Sequence, residues 1–101
     1  MNDETVARTT DPDGRVVVYD EGARKHLERR RSDLIDQIEA IIGAVSLPDH
    51  REDDPEPGRE RFYRQNLLDP RRWPRVVVDY EESPARIVTA IIQQHDPRLS
   101  R

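Results

Sequence analysis

The chain of 101 residues contains no cysteine. That excludes disulfides, thiolate metal sites and a cysteine nucleophile, and it makes a reducing, cytoplasmic setting the expectation. Lysine occurs once, at Lys25, so almost all positive charge is carried by arginine. Four glycines, at positions 14, 22, 43 and 58, form no loop that could cradle a phosphate, which disfavours a nucleotide-binding enzyme. Ser32, Ser46, Ser83 and Ser100 lack the context of an activated nucleophile. No apolar run approaches the roughly 20 residues that span a bilayer, so no membrane association is expected. The first fifteen residues are polar and acidic, without the charged start and apolar stretch of a secretory signal.

What remains is 34% apolar and 38% charged, the composition of one small domain with a thin core. Residues 1–14 offer almost nothing to bury and read as a flexible acidic arm. Arg15 to Tyr19 is a β-branched run and a candidate strand, and Asp20 is suited to cap the helix after it. Helix-favouring residues follow from Glu21 to Arg31. Leu34, Ile35, Ile38, Ile41, Ile42 and Val45 recur at the helical period, so residues 21–45 form either one helix or two. Pro48 ends this region.

Residues 48–58 carry three prolines among five acidic side chains and read as a solvated connector, not the interior of a strand. Its carboxylates match no cation-binding spacing, and neither a metal nor another cofactor is expected. Residues 59–64, 73–80 and 86–93 are β-prone and joined by loops that suit an antiparallel meander. Pro74, without an amide hydrogen, points to a strand edge or bulge. The expectation is an α+β domain over residues 15–94: an N-terminal strand and one or two helices packed on a three- to four-stranded antiparallel sheet, with residues 95–101 as a tail. Strands apolar on both faces need more cover than these helices supply, which leaves a sheet face exposed or available to a homodimer partner.

The net charge of −4 rules out a global field that would hold nucleic acid. Charge is nevertheless segregated: residues 24–31 sum to +4, residues 32–58 to −7 and residues 59–75 to +4. Two arginine islands brought together would make a phosphate-binding cleft, because the guanidinium fork binds phosphate oxygens in pairs. The same arginines can equally pair with their acidic neighbours. His26 lies inside the first island, where a titratable group would stand beside a bound phosphate. Tyr63 and Trp73 could stack on an unpaired base or pack in the core. A helix-turn-helix over residues 21–45 is excluded, since Asp33, Asp36 and Glu39 stand where a DNA reader needs cations.

In order, His26 with Arg29-Arg30-Arg31, Pro48-Asp49, Gly58 to Arg64, Trp73 to Tyr80 and Ile87-Val88-Thr89-Ala90 resemble the small RelE/barnase/EndoU/colicin-type nuclease-like domains of bacteria and phages. The resemblance covers about residues 15–94. It implies metal-independent RNA cleavage by attack of the 2′-hydroxyl on the adjacent phosphate. By that resemblance His26 would be the acid or base, and Arg30, Arg61 and Arg64 would stabilise the phosphorane. Thr89 would donate a hydrogen bond, and Tyr63 would transfer a proton or stack. It also implies RNA or the ribosome, and an antitoxin protein, as partners. A non-catalytic member of the same fold, binding protein or RNA, is the alternative, because function resides in sites and not in folds. Convergence of His26, Arg61 or Arg64, and Thr89 would favour the enzyme; salt bridges consuming the arginine islands would favour the binding module.

Overall fold

A computed structural model describes residues 4–99. The architecture is α+β, in the order β1 (Thr5–Thr10), β2 (Val16–Asp20), α1 (Glu21–Arg29), α2 (Ile38–Ser46), β3 (His50–Asp53), β4 (Arg59–Tyr63), β5 (Trp73–Asp79) and β6 (Ala85–Gln93). One six-stranded sheet runs β1-β2-β6-β5-β4-β3. Strands β3 to β6 form the antiparallel meander, β1 and β2 a hairpin, and β2 joins β6 in parallel. The sheet is therefore mixed and larger than the three to four antiparallel strands expected.

Two of the additional strands come from segments that composition marks as loops. The expected flexible arm supplies β1, whose Val6 and Ala7 pack against the core. Asp11 in the turn after it is 3% exposed. It accepts from the Asp13 and Arg15 amides and from the Tyr80 hydroxyl, so its carboxylate closes the turn and docks it. Residues 1–3 of the arm lie outside the described residues. In the proline-rich connector, His50 to Asp53 pair with β4 as an edge strand, which needs ladder partners on one side only. Pro74 lies in central strand β5 and accepts from the Arg64 amide; the bulge between β5 and β6 falls at Val77 and Val78 instead.

Residues 21–45 divide into two helices. Asp20 caps α1 through the Ala23 amide at 2.9 Å. At the other end the Arg31 amide donates to the Glu28 carbonyl and the Ser32 amide to the Leu27 carbonyl, the paired bonds of a Schellman ending. Ser32 then donates to the Ala90 carbonyl at 2.7 Å, which fastens the end of α1 to β6. The chain resumes helix only at Ile38. In consequence Leu34 and Ile41 are fully buried, but Ile38, expected in the packed stripe, stands 36% exposed at the start of α2.

Both helices cover one face of the sheet. Ala23, Leu27, Leu34, Ile41, Ala44 and Val45 meet Val17, Tyr19, Phe62, Val76, Val78, Ile87 and Ala90 in a single core. Alternation along the strands sends Tyr63, Trp73 and Val77 to the second face, where they are still buried. The C-terminal segment contributes to that cover: the Arg98 guanidinium lies 4.9 Å from the Trp73 ring centre. The described part of the expected tail thus folds back on the sheet; residues 100 and 101 lie outside the described residues. Among the described residues no helix is long and apolar enough to cross a membrane.

Candidate functional site

The sheet register assigns Arg61, Tyr63 and Thr89 to the second face. His50, Tyr63, Arg75 and Ile91 stand in one cross-strand row, and Glu52, Arg61, Val77 and Thr89 in the next. Glu52 is the centre of a polar cluster. It accepts the Tyr63 hydroxyl at 2.7 Å, lies 3.1 Å from His50 Nε2 and stands 3.7 Å from Arg61 Nη1. Asp54 accepts from Arg61 Nε at 2.8 Å.

Burial alone would raise the Glu52 pKa, but the Tyr63 and His50 hydrogen bonds and the Arg61 charge outweigh it and hold the carboxyl below its ordinary value. The balance at Asp54 is similar: burial is overcome by the Arg61 bond and the Glu56 amide. Burial, then the bond to Glu52, pushes the Tyr63 phenol upward. The cluster thus consists of two ionised carboxylates, a protonated phenol and a guanidinium with both acids close at hand.

His26 and Arg30 lie elsewhere, on α1 and at its C-cap; the Ala23 and Leu27 side chains of α1 belong to the core on the opposite face from Arg61. Burial, then the charges of Arg30 and Arg29, lowers the His26 pKa from 6.5. Arg64 occupies a third location. A Cβ on Gly43 would come within 2.9 Å of its Nη1, so this guanidinium lies against α2. The six residues assembled by the resemblance are therefore distributed over three places; only Arg61, Tyr63 and Thr89 share a face. The reason is the two-residue period of a strand: Arg61 and Tyr63 point away from the helices, whereas α1 packs on the other side.

The two arginine islands also differ. In the hairpin, Arg61 pairs with Asp54 and Glu52, Arg59 with Asp79, Arg71 with Asp69 and Arg72 with Asp33. On α1 and just after it, Arg24 pairs with Glu21, whereas Lys25, Arg29, Arg30 and Arg31 have no acidic partner among the described residues, and all four are exposed. Arg31 adopts φ 55°, a left-handed conformation that glycine takes without strain.

Sequence reasoning missed His50, Glu52 and Asp54. Their signal was the alternation at i, i+2 and i+4, which is hidden by the density of charge and by Pro48, Pro55 and Pro57. It also passed over Leu67 and Leu68, which are 85% and 96% exposed in the loop between β4 and β5. No protein-family model, curated protein or solved structure matches the chain.

Proposed function

We propose that the domain is a non-catalytic binding module that engages an anionic partner at the C-terminal end of α1. The supporting observation is the exposed set Lys25, Arg29, Arg30 and Arg31, which lacks acidic partners among the described residues, whereas in the hairpin Arg59, Arg61, Arg71 and Arg72 are paired and the unpaired Arg64 and Arg75 are partly buried. A cationic last turn also complements the helix dipole, so part of its charge stabilises α1. That effect operates within the last turn and gives no reason for a third arginine at 31, where left-handed backbone favours glycine. The test is fluorescence anisotropy with a poly-glutamate peptide and with poly(U) RNA over a salt series. Replacing Arg29, Arg30 and Arg31 with alanine should weaken binding about tenfold or more and flatten its salt dependence. Unchanged binding overturns the reading.

The second reading is a toxin-like, metal-independent ribonuclease, favoured by the ionised Glu52 between His50, Tyr63 and Arg61. Glu52 would accept the 2′-hydroxyl proton, His50 would protonate the leaving oxygen and Arg61 would stabilise the phosphorane, whereas Thr89 stands two strands from Arg61, beyond Val77. His26, Arg30 and Arg64 have no part in that arrangement. Against it, in-line displacement needs the base and the acid on opposite sides of a phosphate, yet His50 and Glu52 are hydrogen-bonded to each other at 3.1 Å. RNA cleavage that persists in chelator and falls about 10²–10⁴-fold in Glu52→Gln would establish this reading over the first.

A further inference from the structure

Leu67 and Leu68 are the most exposed large apolar side chains described, at 85% and 96%. Their loop is nevertheless tightly bonded. The Leu68 and Asp69 amides donate to Asn66 Oδ1 at 2.8 and 3.1 Å, and the Asn66 amide closes the loop on the Arg72 carbonyl at 2.9 Å. The Arg72 amide donates to the Asp69 carbonyl, and the Gln65 side-chain amide to the Pro70 carbonyl. Two leucines are thereby presented on a preorganised support, which reduces the ordering entropy of docking.

The location of the loop matters as much as its content. Arg72 Nη2 lies 4.0 Å from Asp33 Oδ2, and Asp33 is two residues beyond Arg31. The base of the leucine loop therefore reaches the segment that follows α1, at a residue two positions from the basic cluster. We infer that this edge captures an acidic amphipathic segment of a partner protein, its apolar side seated on Leu67 and Leu68 and its carboxylates on Arg29, Arg30 and Arg31. The inference rests on the anionic-partner reading above and assigns its chemistry.

Charge and composition favour a protein over the other anionic surfaces. Single-stranded nucleic acid is held by stacking on exposed aromatics, but the aromatics nearest this loop in sequence, Tyr63 and Trp73, are each 1% exposed. A bilayer presents a uniform negative plane, and the exposed Asp33, Asp36 and Glu39 beside the cluster would be repelled by it. A protein segment can place its carboxylates between those acids point by point.

The experiment uses the full chain and four probes: a synthetic helix with leucine on one face and glutamate on the other, its scrambled isomer of equal charge, poly(U), and phosphatidylglycerol vesicles. The amphipathic helix should bind about tenfold or more tightly than the scrambled isomer. Leu67→Ser/Leu68→Ser should abolish that preference with an unchanged melting temperature, because neither side chain is in the core. Equal binding of the two peptides, or a preference retained in the leucine variant, overturns the inference. If binding is still salt-sensitive and lost in the arginine variant, the anionic-partner reading survives that result. Preferred binding of poly(U), or leucine-dependent binding of vesicles in place of the peptide, also overturns the inference. Absence of arginine-dependent binding to every probe overturns both.

Discussion

The Asp13 carboxylate and the Arg51 guanidinium meet at 3.0 Å, although Asp13 lies in the turn between the first two strands and Arg51 on the strand at the opposite edge of the sheet. Arg51 is held in place for this contact by a two-pronged bond to Glu60. The sheet therefore curls far enough for its first hairpin to reach its last strand, with α2 touching β1, β4 and β5 between them. The ion pair is a marker of this closure more than its cause, since Asp13 is largely exposed and such pairs contribute about 0–1 kcal/mol.

Closure makes the N-terminal segment structural. Deleting residues 1–10 would strip β2 of its outer neighbour, leaving only β6 beside it, and uncover α2. The expected result is loss of several of the roughly 5–15 kcal/mol that stabilise a domain of this kind, with a broadened or absent thermal transition. A melting temperature within a few degrees of the full chain would contradict the packing of β1.

Two tyrosines should respond in opposite ways to removal of the hydroxyl. Tyr80 donates to Asp11 at 2.6 Å, and burial together with that bond pushes its phenol well above the ordinary 10.0. Tyr80→Phe leaves the buried Asp11 short of a donor and should cost about 1–3 kcal/mol. The Tyr19 hydroxyl is buried with no hydrogen-bond partner among the described residues. Tyr19→Phe should accordingly be neutral or stabilising. Equal losses in chemical denaturation would show that hydrogen bonding does not distinguish the two positions.

Helices, strands and core positions were legible in the sequence where apolar and β-branched residues are dense. Val17, Tyr19, Phe62, Val76 and Ile87 alternate with residues of the second face, and Asp20 marks a real cap. β1 was not legible, because Thr5 to Thr10 contain little to bury and gain their place from β2 and α2. β3 was hidden because its Arg51 and Glu52 are satisfied by cross-strand partners, Glu60, Arg61 and Tyr63, that lie 9 or more residues away. The same blindness affected the candidate site: spacing can put His26 and Arg30 on one helix face, but it cannot tell which side of the sheet receives that helix.

The buried stripe offers a simple check on the boundary of α2. Ile41 is fully buried, so Ile41→Ala should cost about 2–5 kcal/mol. Ile38 is 36% exposed, and Ile38→Ala should cost under about 1 kcal/mol. Reversal of that order in denaturant titrations would mean that the helix begins before Ile38 and turns a different face to the sheet.

Acid should destabilise the fold in two stages. His26 is held below its ordinary 6.5 by burial and by Arg30 and Arg29, so the unfolded chain takes up this proton first as the pH falls. Asp11, Glu52 and Asp54 are held below the ordinary 3.8 for Asp and 4.5 for Glu, since their hydrogen bonds outweigh burial. Their contribution is complete above those values and is lost as the pH falls through the depressed folded-state ones. The melting temperature should fall gently below about pH 6.5 and steeply below about pH 4.5. Asp54→Asn should flatten part of the lower limb, and a profile unchanged by that substitution would remove Asp54 from the account.

Arg31 separates stability from binding. Its backbone, at φ 55°, occupies the position of a Schellman ending at which glycine is unstrained. Arg31→Gly should therefore stabilise the fold by about 0.5–1 kcal/mol, although glycine also gains freedom in the unfolded chain, which offsets part of the relief. The Arg31→Ala variant retains the strain and should leave stability nearly unchanged. Both remove one of the exposed cations at the end of α1, so both should weaken an acidic peptide to a similar extent. A more stable Arg31→Gly with reduced affinity means that arginine is kept there for its charge. Full affinity in both variants would confine Arg31 to the helix ending and leave Lys25, Arg29 and Arg30 as the anionic partner's contacts.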